Sequence, residues 1–210
     1  MKHIYSLLYK AYGAQKWWPV TSKNEQFEII LGTILTQNTS WKNVETAIAN
    51  LNSEKLIDPA QIARVDTQKL AALIKPSGYF NQKAERLKIM AKFFLDNKNL
   101  SVLHISELRK KLLEIKGVGP ETADSIVLYA FNKPSFVVDL YTKRIFSRLG
   151  LCSKNCSYDE LQKMFHDALP KDAQLFNEYH ALIVEHAKQH CKKMPVCKNC
   201  PLSDKCKKLM

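Results

Sequence analysis

Apolar residues along this chain recur at intervals of three and four, and almost nowhere at intervals of two. That period belongs to helices that bury one face. Ile4, Leu7, Leu8 and Ala11 predict a short helix over 3–12. Phe27, Ile30, Leu31, Ile34 and Leu35 predict a buried helix, and Ser22 and Glu25 are spaced as a capping box at its start. The polar run Gln37-Asn38-Thr39-Ser40 ends it, and Trp41, Val44, Ala47, Ile48 and Leu51 begin the next face. Asp58-Pro59 opens another helix, and Asp66 or Thr67 caps one that runs through Ile74. After a turn at Ser77-Gly78-Tyr79, residues 81–94 are amphipathic, with Ala84, Leu87, Met90, Ala91 and Phe94 inward. Lys83, Arg86, Lys88 and Lys92 are expected outside. Further helices are predicted over 106–115, over 140–149 with Gly150 as the stop, from the capping box Ser157-x-x-Glu160 to Leu169, and over 176–189. The reading is all-α, with no strand and no internal repeat.

Lys116-Gly117-Val118-Gly119-Pro120-Glu121-Thr122 interrupts this pattern between two helices. Two glycines flanking one apolar residue permit a tight turn and close approach of backbone to a ligand. Pro120 suits a first helical turn, and the free N–H groups there can hold a phosphate. An ordinary interhelical turn fits the same residues. Downstream, the apolar run Phe136-Val137-Val138 ends at Asp139, a candidate N-cap for the helix that follows.

A formal charge of +12 and a pI of about 9.4 call for an anionic partner. No run is long and apolar enough to span a membrane, and the N-terminus lacks the pattern of a signal peptide. A cytoplasmic or nucleoid-associated monomer is expected. Six cysteines in a reducing compartment favour metal or cluster ligation over disulfides. Cys191-x5-Cys197-x2-Cys200-x5-Cys206 places four thiols close enough to wrap one centre, zinc or iron–sulfur. Cys152 and Cys156 stand apart as free thiols. Trp17-Trp18-Pro19 is either interlobe packing or an aromatic wall for a flat ligand.

Together these motifs resemble the endonuclease III family of helix-hairpin-helix DNA glycosylases. The resemblance rests on Leu113-x-x-Lys116-Gly117-Val118-Gly119-x-x-Thr122-Ala123, on Val137-Val138-Asp139, on Ser77-Gly78-Tyr79-x-Asn81-x-Lys83-Ala84, on Leu35-Thr36-Gln37-Asn38-Thr39, and on the C-terminal cysteines. It covers nearly the whole chain. It implies a two-lobed fold: a helical barrel over 20–131, with the hairpin at 108–131, and a second lobe of 1–19 plus 132–210. It also implies a [4Fe-4S] cluster in the 191–206 loop on Cys191, Cys197, Cys200 and Cys206, although the family's first gap is six residues and here it is five.

The resemblance further implies damaged double-stranded DNA as partner, with Gln37 and Asn38 as the wedge behind a flipped nucleotide. Lys116, Gly117, Val118, Gly119 and Thr122 would bind the backbone, and Asp139 would stabilise cationic character on the sugar or activate water. Lyase members carry a lysine two residues past the hairpin's last glycine. Here that residue is Glu121, which cannot form an imine, so base hydrolysis without strand scission is expected. Trp17, Trp18, Pro19 and Trp41 look like the base pocket of the methyladenine-glycosylase branch, where aromatic rings gain a cation–π term with an alkylated purine. Two other readings remain: a bifunctional glycosylase/lyase for oxidised pyrimidines, and a non-catalytic DNA-binding module.

Overall fold

The computed structural model describes residues 1–209, and among them every regular element is helical. The chain forms two compact units, one of Trp18–Phe131 and one of Met1–Trp17 with the residues from Asn132 onward.

The first unit contains α2 (Glu25–Leu35), α3 (Trp41–Ser53), α4 (Pro59–Arg64), α5 (Thr67–Leu73), α6 (Phe80–Asp96), α7 (Ile105–Leu113) and α8 (Pro120–Ser125). A π turn, Ile126–Ala130, continues α8. Helix α2 sits at the centre, buried at every position from Phe27 to Leu35. It packs on α3, α6, α8 and the π turn, and α4 and α5 close against α6. Ile34, Leu35, Val44, Leu51, Leu87, Met90 and Leu112 are part of one apolar core. Burying each such side chain contributes about 1.5–3 kcal/mol.

Two expectations here are corrected. Ser22 and Glu25 do not form a capping box; Asn24 is the N-cap of α2 and accepts from the Phe27 amide. The buried Glu28 takes the preceding segment instead, accepting from the amides of Thr21 at 2.9 Å and Ser22 at 2.6 Å. Lys83, expected in solvent, is buried at 1% exposure. Its Nζ donates to the carbonyls of Leu35 at 2.8 Å and Ser77 at 2.7 Å. The ammonium thereby satisfies orphan carbonyls where α2 and the 3₁₀ turn Lys75–Ser77 end, and two segments far apart in sequence meet on one side chain.

The second unit contains α1 (Lys2–Tyr12), α9 (Leu140–Arg148), α10 (Tyr158–Ala168) and α11 (Ala173–Gln189). Helix α11 packs on α1 and α9. Its core is aromatic. Phe136 stacks on Phe165 with centroids 3.6 Å apart, and Phe146, Phe176 and Tyr179 close around them edge-on. Ser157 and Glu160 form the capping box read from the sequence.

Candidate active site and nucleic-acid interface

The hairpin between α7 and α8 is held from below. Arg109 on α7 forks onto Asp124 on α8, with Nε–Oδ1 at 2.9 Å and an Nη–Oδ2 bond at 3.1 Å. Its two glycines are needed for different reasons. Gly117 has φ +89, and a Cβ there would meet Arg86 Nε at 2.5 Å. Gly119 caps α8 with φ −96, and a Cβ there would face open space. The outer backbone is therefore bare at Gly119, while Arg86 fills the inner side of Gly117. Lys116, Gly117 and Gly119 are exposed, but Val118 and Thr122 are buried. Those last two side chains build the hairpin from within, so only their backbone could meet a ligand.

Beside it, the 36–39 turn presents Asn38, exposed and in the left-handed conformation at φ 55. Gln37 is tied back. Its Nε2 donates to the Gly117 carbonyl at 3.3 Å and to Thr122 Oγ1 at 3.0 Å, and Arg86 donates to its Oε1 at 2.5 Å. Tyr79 belongs to the family motif but is not among the expected site residues. It is 70% exposed at φ 46, a strained backbone for a bulky residue. The signals in the sequence were the Ser-Gly turn before it and its place in the Ser77-Gly78-Tyr79-x-Asn81 motif.

Asp139 caps α9. Its Oδ1 accepts from the Thr142 amide at 2.7 Å and Thr142 Oγ1 at 2.8 Å. Its Oδ2 stands 3.7 Å from His180 Nε2, longer than a hydrogen bond. Burial pushes the carboxyl pKa up, but the His180 imidazole and then the Thr142 donors outweigh it. The net effect holds the group below its ordinary 3.8. Past it, Leu140 and Tyr141 reach into solvent.

Trp18, Pro19 and Trp41 line a cavity of about 90 Å³ together with Glu28 and Glu45; Trp17 is not among its walls. The Trp18 and Trp41 rings are not a sandwich. Their planes cross at 87° with centroids 4.9 Å apart, so no base fits between them. Trp18 also packs on Tyr129, and a Cβ at Gly32 would come within 2.9 Å of its ring.

The four C-terminal cysteines line one cavity of about 130 Å³, walled also by His186, Val196 and Leu202. Among the described residues, no three His, Cys, Asp or Glu side chains close around a single metal-ion position. Four thiols lining one cavity are a donor set that zinc and an iron–sulfur core both accept. The short first gap is closed by α9. Arg148 donates to the carbonyls of Lys192 at 2.6 Å and Lys193 at 2.8 Å and to Cys191 Sγ at 3.3 Å, and Arg144 donates to the Cys191 carbonyl at 2.7 Å. His186 Nδ1 pairs with Tyr12 Oη at 2.9 Å, and its Nε2 lies 3.8 Å from Cys200 Sγ. Burial, with His190 beside it, pushes the His186 pKa down to about 4. Outside this loop, burial and the neighbouring Cys156 push the Cys152 thiol up to about 11.

A glycine hairpin followed by a capped aspartate has counterparts among known proteins. Residues 31–171 match the HhH-GPD superfamily base excision DNA repair protein family. The chain belongs to that family. A Methanocaldococcus jannaschii protein, named provisionally as a DNA repair glycosylase, is 50% identical over 97% of this chain and 94% of its own length. The crystal structure of H. pylori 3-methyladenine DNA glycosylase (MagIII) bound to 1,N6-ethenoadenine aligns with a TM-score of 0.78 and 31% identity, covering 92% of this chain and 98% of that one. A non-covalent endonuclease III–DNA complex aligns with a TM-score of 0.84 over 99% of this chain and 94% of that one; at 24% identity it speaks for the fold. The chain is thus a base-excision-repair DNA glycosylase with DNA as its partner.

Proposed function

We propose that this glycosylase is monofunctional, releases N-alkylated purines such as 3-methyladenine, and leaves an abasic site. The observation that carries the reading is Asp139, a carboxylate kept ionised with only one oxygen committed to its helix cap. As the base departs, positive charge develops on the sugar. Oδ2 is the oxygen left to stabilise that charge or to take a proton from the attacking water. Glu121 stands at the position of the lyase lysine, so no imine can form on that side chain.

The exposed N–H groups around Gly119 would hold a phosphate, with Lys116 beside them. Asn38 and Tyr79 are the exposed side chains suited to fill the gap left by an extruded nucleotide. In the base pocket, Trp18, Pro19 and Trp41 would offer one ring face for stacking, and the carboxylates of Glu28 and Glu45 suit a cationic ring. The likeness to the 3-methyladenine enzyme supports that substrate class. An alkylated purine is already a good leaving group, so one carboxylate and a water suffice.

The family also implies a [4Fe-4S] cluster, and the cysteine cavity fits one. Cys191, Cys197, Cys200 and Cys206 would hold it, Arg148 would donate to the Cys191 thiolate, and the centre would fold the C-terminal loop.

A panel of duplexes carrying single lesions tests the reading. Release of alkylated purine without strand cleavage, and no covalent complex after borohydride, is the expected result. A borohydride-trapped adduct would overturn the monofunctional assignment, and excision of oxidised pyrimidines alone would overturn the substrate class.

A further inference from the structure

Helix α6 carries the two side chains that tie the exposed turns of the first unit together. Lys83 joins the end of α2 to the turn before Tyr79. One helical turn on, Arg86 lies under Gly117, close enough that a single methyl group at that glycine would collide with it. The same guanidinium donates to Gln37 Oε1, while Gln37 Nε2 reaches the Gly117 carbonyl and Thr122 Oγ1. Both ends of the Gln37 amide are thereby occupied, one by α6 and the other by the hairpin. Of these partners Thr122 is buried and Arg86 is half-buried, while the bond to the Gly117 carbonyl lies at the surface. An amide saturated in this way is a strut, and the turn that bears Asn38 cannot shift relative to the hairpin without breaking it.

We propose that Arg86 is a positioning residue for the glycosylase reaction. Through Gln37 it holds the turn bearing Asn38 in fixed register with the hairpin, so that capture of a phosphate and intrusion behind the extruded nucleotide occur as one event. A planar guanidinium suits the task, because one group can pack under a glycine and donate sideways to an amide; a lysine ammonium cannot do both. The proposal rests on the glycosylase activity and not on the choice of lesion, so any base that the wild-type chain excises serves as substrate.

The test compares Arg86→Leu, Arg86→Lys, Gln37→Ala and the double variant Arg86→Leu/Gln37→Ala. Single-turnover base release and affinity for an abasic-site duplex are measured, together with fluorescence of 2-aminopurine placed beside the lesion. The phosphate-binding groups survive in all four, so affinity should change less than about threefold. Base release and the 2-aminopurine signal should fall together by about 10-fold or more in each single variant, as expected for 1.4 kcal/mol or more of lost positioning. Arg86→Lys should not restore them. The double variant should be no worse than either single, because both break one strut. Additive losses, or unchanged extrusion with wild-type turnover, would overturn the proposal. If Arg86→Leu unfolds, Gln37→Ala alone decides through the ratio of extrusion to affinity. If the wild-type chain releases no base from any duplex, the activity itself fails, while the fluorescence arm still reads the strut.

Discussion

Asp139 and Lys83 are both poorly solvated charged side chains, but they serve opposite ends. Asp139 stays ionised because His180 and Thr142 compensate its burial. Asp139→Asn keeps the cap acceptor and loses the charge. Base release should fall by roughly 10²–10³-fold or more, the scale of removing one electrostatic stabiliser, while affinity for an abasic duplex stays within a few-fold. Near-wild-type turnover would reduce Asp139 to a cap. Because its pKa lies below 3.8, base release should show no loss attributable to this group between neutral pH and about pH 5. Lys83 is buried as an ammonium whose pKa burial, and then Arg86, lower from 10.5 to about 8. Below about pH 8 both folded and unfolded states carry the proton, and the full cost of burying the charge is present. Between about pH 8 and 10.5 the unfolded state binds more protons, so stability from this residue should rise with pH. Denaturant titrations across that window should show the rise in the wild type and not in Lys83→Met. The variant should also lose about 1–3 kcal/mol for the carbonyls left without a donor.

At the scale of elements, the hairpin separates two kinds of glycine. Gly117→Ala should destabilise the chain by about 1–3 kcal/mol, from positive φ and collision with Arg86. Gly119→Ala should leave the melting temperature nearly unchanged and weaken DNA binding, because the new methyl group stands where a phosphate would approach. Calorimetry and binding on the two variants check this, and equal effects on both would contradict it. The cysteine loop behaves as an extension of α9, whose arginines satisfy its carbonyls. With the proposed iron–sulfur cluster in place, Cys200→Ser should lose its visible absorbance and loosen the loop. Protein purified without air that contains stoichiometric zinc and no iron would refute that cofactor.

Over the whole molecule, a charge of +12 makes DNA affinity steeply dependent on salt. Lys192, Lys193 and Lys198 are exposed on the cysteine loop. Replacing all three with Gln should lower the slope of log affinity against log salt by about 0.9 for each phosphate that is no longer neutralised. An unchanged slope would assign those lysines to balancing the thiolates. How far such features could be read in advance depended on their range. Helical periods, the cap at Asp139, the capping box at Ser157 and the four-cysteine spacing are local patterns, and residues close in sequence settle them. Ser22 and Glu25 matched a local pattern too, yet Glu28 captured the Thr21 and Ser22 amides and Asn24 took the cap. Lys83 lay on a polar stripe and was expected in water, but the ends of two distant segments offered it carbonyls. The sequence by itself determined the helices, the hairpin and the family, because these follow from spacing along one chain. Only the tertiary structure decided that Trp18 and Trp41 cross edge to face, that Gln37 is a strut and that Tyr79 stands out in solvent. Each of those depends on which remote side chain arrives to fill a space or complete a hydrogen bond, and no periodicity records that.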